Sequence, residues 1–289
     1  MYSTLITPSQ LQALQACGTP LQIWDCSFDL MNPTAGPEAF AQAHIAGAHY
    51  VHLDTDLSDK TAATDKASGG RHPLPSRAKF AAWLGAVGIT PATQVVVYDR
   101  NGVNYAGRAW WMLQWCGHAG IAVLDGGLQA WQAAGGAVAT GAAPIAANFS
   151  QPNYPLAQQI QAQAAIDFVA NAVRSSSHAI IDARAAPRFR GEVEPLDPVA
   201  GHIPGALNRP FNLNIGEDGC FKPAAQLRAE FDALLAGRDA SQVIHHCGSG
   251  VSAVPNVLAM AIAGYPPSQL FAGSWSEWSN RADLPVARG

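Results

Sequence analysis

Short apolar runs alternate along this chain with longer segments whose apolar positions recur at helical spacing. Gln94–Tyr98, Ile121–Leu124 and Gln242–His246 read as buried strands. Tyr105–Cys116, Leu128–Ala134 and Val251–Ile262 read as helices. Alternation of this kind predicts parallel βαβ units and an α/β fold. The first helix carries its own boundary signals: Thr7 can cap it, Pro8 takes the first helical position and Gly18 can end it.

The pattern occurs twice. Ile23-Trp24-Asp25 returns as Ile180-Ile181-Asp182, and His44-Ile45-Ala46-Gly47-Ala48 returns as His202-Ile203-Pro204-Gly205-Ala206. Gly126 and Trp131 of DGGLQAW match Gly273 and Trp278 of AGSWSEW, in the same order. Two copies of one unit are therefore expected, 1–136 and 157–289, each a mainly parallel sheet flanked by helices. The Ala-rich stretch 137–156, with Pro144, Pro152 and Pro155, is expected to link them. The repeat places Asp99, after one strand, where the second copy has Cys247.

Composition narrows the function. The chain has 289 residues, 48% hydrophobic and 13% charged, which is ample for a packed core and excludes disorder or collagen-like structure. Its net charge of −4, without a basic stripe, argues against a nucleic-acid partner. The longest apolar stretch, Val251 to Gly264, contains Pro255 and Asn256 and falls short of the ~20 residues that span a bilayer. The N-terminus shows no basic start followed by an apolar run, so no membrane association or export is expected. The cysteines, Cys17, Cys26, Cys116, Cys220 and Cys247, are odd in number and lack CxxC spacing. That predicts no disulfide framework, no metal site and the reduced thiols of a cytoplasmic protein.

The chemistry concentrates in Cys247-Gly248-Ser249-Gly250-Val251-Ser252-Ala253, between a strand end and a helix. Ligands of open α/β sheets bind at such strand ends. Two glycines let the backbone amides of Gly248 to Ser252 curl into an anion-binding nest, and the helix N-terminus adds partial positive charge. Both favour negative charge on sulfur, the nucleophilic form. A lone cysteine is more often buried and inert, but strand–Cys–Gly–x–Gly–helix is a far more specific pattern.

The two-copy plan, the CGSGVSA loop, HIPGA and DGGLQAW resemble the tandem-domain rhodanese superfamily of sulfurtransferases, over nearly the whole chain. The resemblance implies two tandem rhodanese-like domains, a catalytically silent first one with Asp99 in place of Cys, and a catalytic second one. It also implies transfer of sulfur through a persulfide on Cys247 to a thiophilic acceptor, cyanide or a thiol, without an external cofactor. The loop is most similar to the 3-mercaptopyruvate branch of the family. The thiosulfate branch, the alternative donor class, typically has basic residues where this chain has Gly248 and Ser249. The Ser249 hydroxyl can hydrogen-bond the thiolate or relay a proton, or it is a simple turn residue.

The resemblance further implies that Arg188 binds the donor carboxylate, a task suited to a guanidinium. The bland alternative is an ion pair with Glu192 or Glu194, and Arg190 is the weaker candidate. A second arginine usual in the branch is absent from Glu194-Pro195-Leu196-Asp197-Pro198, and Arg209 is the candidate substitute. Arg71-His72-Pro73-Leu74-Pro75 resembles a family segment that implies a proton relay of Asp54, His72 and Ser249. Thioredoxin is a possible acceptor in this picture, and a monomer is expected. A non-catalytic sulfur carrier is the remaining alternative. The phosphatases that share the fold need CysX5Arg, and Ala253 holds that position here.

The other candidates read as structural. His245 is expected to be a satisfied core histidine, whereas His246, nearer the thiol, could tune it. Trp110, Trp111 and Trp115 are expected in packing, Asp25 and Asp182 in turn hydrogen bonding, and Cys220 as an ordinary exposed thiol.

Overall fold

A computed structural model describes residues 1–61, 64–143 and 145–289. Pro144, one of the prolines marking the expected linker, lies outside the described residues. The chain packs into two compact units. The first comprises Met1–Ser58, Pro75–Ile160 and Ile215–Phe221; the second comprises Asp59–Leu74, Gln161–Asn214 and Lys222–Gly289.

The first unit carries β1 (Leu5–Ile6), α1 (Pro8–Ala16), β2 (Leu21–Asp25), α2 (Ala35–Gln42), β3 (His44–Ile45) and β4 (Ala48–Tyr50). It continues with α3 (Arg77–Ala86), β5 (Gln94–Tyr98), α4 (Ala106–Trp115), β6 (Ile121–Leu124), α5 (Gly127–Ala133) and β7 (Val138–Ala139). Its parallel sheet has the order β1-β6-β5-β2-β4. β5 is central, and its run of β-branched residues is buried at every position, as a strand covered on both faces requires. α1 opens with a capping box between Thr7 and Gln10, with Pro8 in its first turn and Gly18 beyond its end at φ +71°. α4 is buried along its whole length, with Trp110, Trp111 and Trp115 in the interior.

The second unit carries β8 (Ala162–Gln163), α6 (Ile166–Ser175), β9 (Ala179–Asp182), α7 (Ala186–Arg190), β10 (Leu207–Asn208), α8 (Ala224–Leu235), β11 (Val243–His246), α9 (Val254–Ile262), β12 (Gln269–Leu270) and α10 (Ser274–Trp278). Its parallel sheet runs β10-β9-β11-β12-β8. Read from the other edge, this is the topology of the first sheet, with β11 in the central place of β5. Ile180, Ile203, Ile244, Phe271, Trp275 and Trp278 form much of its core.

Packing divides the chain differently from the succession 1–136, 157–289 that the repeat suggests. Residues 59–74 belong with the second unit because Gly69 N–H donates to Glu277 (3.1 Å), Gln163 donates to the Ala67 carbonyl, and Arg71 N–H donates to Ser276 Oγ (3.0 Å). Residues 215–221 belong with the first, where Phe221 N–H donates to Asp125 (2.8 Å). The stretch 137–156 packs within the first unit. There β7 pairs with β3, and Tyr154 N–H donates to the Ala81 carbonyl (2.9 Å).

Candidate active site

The loop after β5 shows what this turn is built to hold. Asp99 Oδ1 accepts the N–H groups of Asn101 (2.9 Å) and Val103 (3.0 Å). Oδ2 accepts those of Tyr105 (2.8 Å) and Ala106 (2.9 Å). The residue is 3% exposed. Burial pushes its carboxyl pKa up, and the four amides pull against that rise. The first copy of the loop is thus an amide nest filled by the chain's own carboxylate.

In the second unit Cys247 follows β11 directly and is 2% exposed. Gly250 N–H donates to its sulfur at 3.2 Å. Gly250 has φ +75°, and a Cβ there would strike the Ala272 carbonyl, so only glycine fits this bend. The start of α10 anchors the loop from outside: Trp275 N–H donates to the Cys247 carbonyl (3.0 Å) and Ser276 N–H to that of Gly248 (2.8 Å).

Ser274 was not among the expected residues. Its hydroxyl accepts the Cys247 N–H (3.1 Å), lies 4.0 Å from Sγ and donates to the Phe271 carbonyl (2.9 Å). It is fully buried at φ +55°, a conformation that costs a non-glycine residue about 1–3 kcal/mol. The matching position in the first copy is Gly127, at φ +58°. A serine kept where the repeat has glycine is the sequence signal that could have found it.

His72 and Ser249 come together, as the relay requires: His72 Nδ1 and Ser249 Oγ are 2.7 Å apart, and both are buried. His72 sits in the second unit, although it precedes most of the first in sequence. Asp54 belongs to the first unit, where its N–H donates to His52 Nδ1 (3.0 Å). The pair His72–Ser249 is therefore the part of the expected relay that one compact unit contains.

Arg188 lies beside the loop and is also ion-paired with Glu194 (2.6 Å) and Asp197 (3.4 Å). Arg71 joins the same cluster through Asp197 (2.7 Å), and a Cβ on Gly248 would lie 3.2 Å from Arg71 Nη2. Arg190 pairs with Glu192 at the surface. The expectation for Arg209 is corrected. It is buried over the Phe231 ring, bonded to Asn214 (3.0 Å) and Glu230 (2.7 Å), and works as a structural ion pair.

Beneath the loop, Arg184 grips Asp182 and stacks over Trp275, so Asp182 is structural, as is Asp25 with Ser27 and Arg100. His246 Nε2 is 3.6 Å from Asp182, and burial holds its pKa down. His245 is buried, but not satisfied: neither ring nitrogen has a hydrogen-bond partner among the described residues, and burial pushes its pKa down to about 3. Cys220 is half-buried near Asp125 and Asp218, which together with burial raise its thiol pKa. Among the described residues, no cluster of His, Cys, Asp and Glu could hold a metal ion.

Two sheets of one topology, each ending its central strand in a loop that turns backbone amide toward the side chain after the strand, define a tandem rhodanese-like protein. The Rhodanese-like domain family matches residues 7–134 and 165–281, and the chain belongs to that family. It is 45% identical over 291 residues to the "Probable 3-mercaptopyruvate sulfurtransferase" of Pseudomonas aeruginosa, covering 99% of this chain and 98% of that one. It is 41% identical over 289 residues to the "Putative thiosulfate sulfurtransferase SseB" of Mycobacterium tuberculosis, covering 99% and 97%. Among solved structures, the 3-mercaptopyruvate sulfurtransferase of Leishmania major superposes with a TM-score of 0.82 at 30% identity, covering 98% of this chain and 76% of that one.

Proposed function

We propose that this protein is a sulfurtransferase that moves sulfur from 3-mercaptopyruvate to cyanide or a thiol through a persulfide on Cys247. The observation that carries this reading is the Gly250 N–H on Cys247 Sγ at 3.2 Å, in a loop whose first copy holds a carboxylate on four amides. Such a nest stabilises anionic sulfur before and after transfer. The 45% identical relative bears the matching name.

In the first step the Cys247 thiolate attacks the donor sulfur. An S–S bond forms, the C–S bond breaks, and its electron pair passes to carbon as the enolate of pyruvate. The enolate takes a proton and leaves as pyruvate. Ser249, bonded to His72, handles the donor's thiol proton. Arg188 binds the donor carboxylate, while the amides of Gly248, Gly250, Val251 and Ser252 hold the sulfur's charge. In the second step cyanide or a thiol attacks the outer sulfur and returns Cys247 as thiolate. A protein thiol such as that of thioredoxin fits the same step. Action as a cytoplasmic monomer belongs to the proposal, in keeping with five free cysteines.

The test is a paired steady-state assay of wild type and Cys247→Ser, with 3-mercaptopyruvate or thiosulfate as donor and thiocyanate as readout. A kcat/KM favouring mercaptopyruvate, abolished in the variant, is expected; unchanged activity in Cys247→Ser would sink the mechanism. Thiosulfate as donor is the second reading, favoured by the name of the 41% identical relative. A preference for thiosulfate in the same assay would select it.

A further inference from the structure

Two guanidinium groups converge on the turn after Cys247. A Cβ built on Gly248 would lie 3.2 Å from Arg71 Nη2 and 3.6 Å from Arg188 Nη1. The arginines differ in what they have left to give. Arg188 commits Nε and Nη2 to Glu194 (3.3 and 2.6 Å) and shares Nη2 with Asp197 (3.4 Å). Arg71 has one ion pair, Nη1 to Asp197 at 2.7 Å. Its Nε is buried with no acceptor among the described residues. Asp197 thus holds both side chains, one through each oxygen. Arg71 is 25% exposed, so its guanidinium is open to a ligand.

An incompletely bonded guanidinium beside a turn residue that carries no side chain is suited to receive an anion. We propose that Arg71 is the principal donor-binding cation: the donor carboxylate sits beside Gly248 between Arg71 Nη2 and Arg188 Nη1, and Asp197 positions both arginines. The proposal rests on the sulfurtransferase reading and deepens it. Arg71, Arg184 and Arg188 are balanced by Asp182, Glu194 and Asp197, so the cluster carries no net charge. It therefore suits a monoanionic carboxylate better than a dianion such as thiosulfate, and the cation comes from a segment outside the 186–198 region.

The test compares wild type with Arg71→Gln, Arg71→Lys and Arg190→Gln, the last removing a surface pair only. Calorimetric binding of pyruvate, the carboxylate product, is read beside KM and kcat for 3-mercaptopyruvate. Loss of one charge-assisted contact predicts a rise of roughly 10–100-fold in both the pyruvate Kd and KM of Arg71→Gln, with kcat changed less than about threefold. Arg71→Lys lies between, and Arg190→Gln matches wild type. A pyruvate Kd within about twofold of wild type in Arg71→Gln overturns the proposal. Should that variant fail to fold, Gly248→Ala keeps both arginines but sets a methyl 3.2 Å from Arg71 Nη2, where the carboxylate would sit, and an unchanged Kd there overturns it equally. Wild type that neither binds pyruvate nor turns over mercaptopyruvate removes the 3-mercaptopyruvate reading of the site, and this proposal with it.

Discussion

Replacing Asp99 tests the idea on which the function rests, that this loop is shaped around an anion. Asp99→Ala strips the acceptor from four N–H groups, of which those of Val103, Tyr105 and Ala106 make buried bonds. A buried donor left unsatisfied costs about 1–3 kcal/mol. At the low end, three such donors give about 3 kcal/mol, before any cavity cost. Relief of the carboxylate's own burial offsets part of this, since burial raises its pKa. Asp99→Asn keeps one acceptor oxygen but turns an NH2 toward one pair of amides, so an intermediate loss is expected. Urea unfolding at neutral pH, followed by tryptophan fluorescence, reads the effect. Trp24, Trp83, Trp110, Trp111, Trp115 and Trp131 all lie in the first unit, so the signal reports mainly on it. Formate should partly restore Asp99→Ala, because a ligand that binds only the folded state stabilises it in proportion to its occupancy. A loss below about 0.5 kcal/mol together with no response to formate would refute the argument.

Ser249→Ala and His72→Gln should each lower kcat with mercaptopyruvate by roughly 10²–10⁴-fold, the range of a proton-transfer group. The double variant should lose little more than either single one, because the two act through one 2.7 Å contact; additive losses would separate them. His245 gives the pH dependence. Its folded-state pKa, about 3, lies below the unfolded value, so on acidification the unfolded chain binds the proton first. Stability is lost as pH falls below about 6.5, by about 2 kcal/mol at pH 5. His245→Leu should abolish that increment in urea unfolding compared at pH 7.5 and pH 5. Identical pH dependence in the two proteins would show that His245 is protonated in the fold.

Local pattern recovered the sheets and helices because burial on both faces leaves continuous apolar runs. Gln94–Tyr98 and Ile121–Leu124 are strands over those residues. The last long helix begins at Val254, not Val251, because the residues after Cys247 are spent on the loop. The motifs led to the loop at Cys247 and to the pairing of His72 with Ser249, whereas Arg209 was misjudged because nothing local reveals its bond to Glu230. The place of Arg71 was hidden for a deeper reason: its partners lie more than a hundred positions away, and no periodicity encodes them. Ser274 left a trace only in the contrast with Gly127.

The exchange of segments between the units bears on how the protein is made. A chain emerging from the ribosome has nearly all of its first unit in hand by residue 160, yet must wait for residues 215–221 to complete it. Residues 59–74, synthesised early, gain their partners piecemeal: Gln163, then Asp197 and Ser249, with Ser276 and Glu277 only near the end. Arg71 and His72 thus reach their places only as the second unit forms, and severing the chain at 136 would strand both on the fragment that lacks Cys247. Assembly of the second unit is tied to completion of synthesis, so a product cut short before Ser276 would carry Arg71, His72 and Cys247 without the contacts that seat residues 69–71.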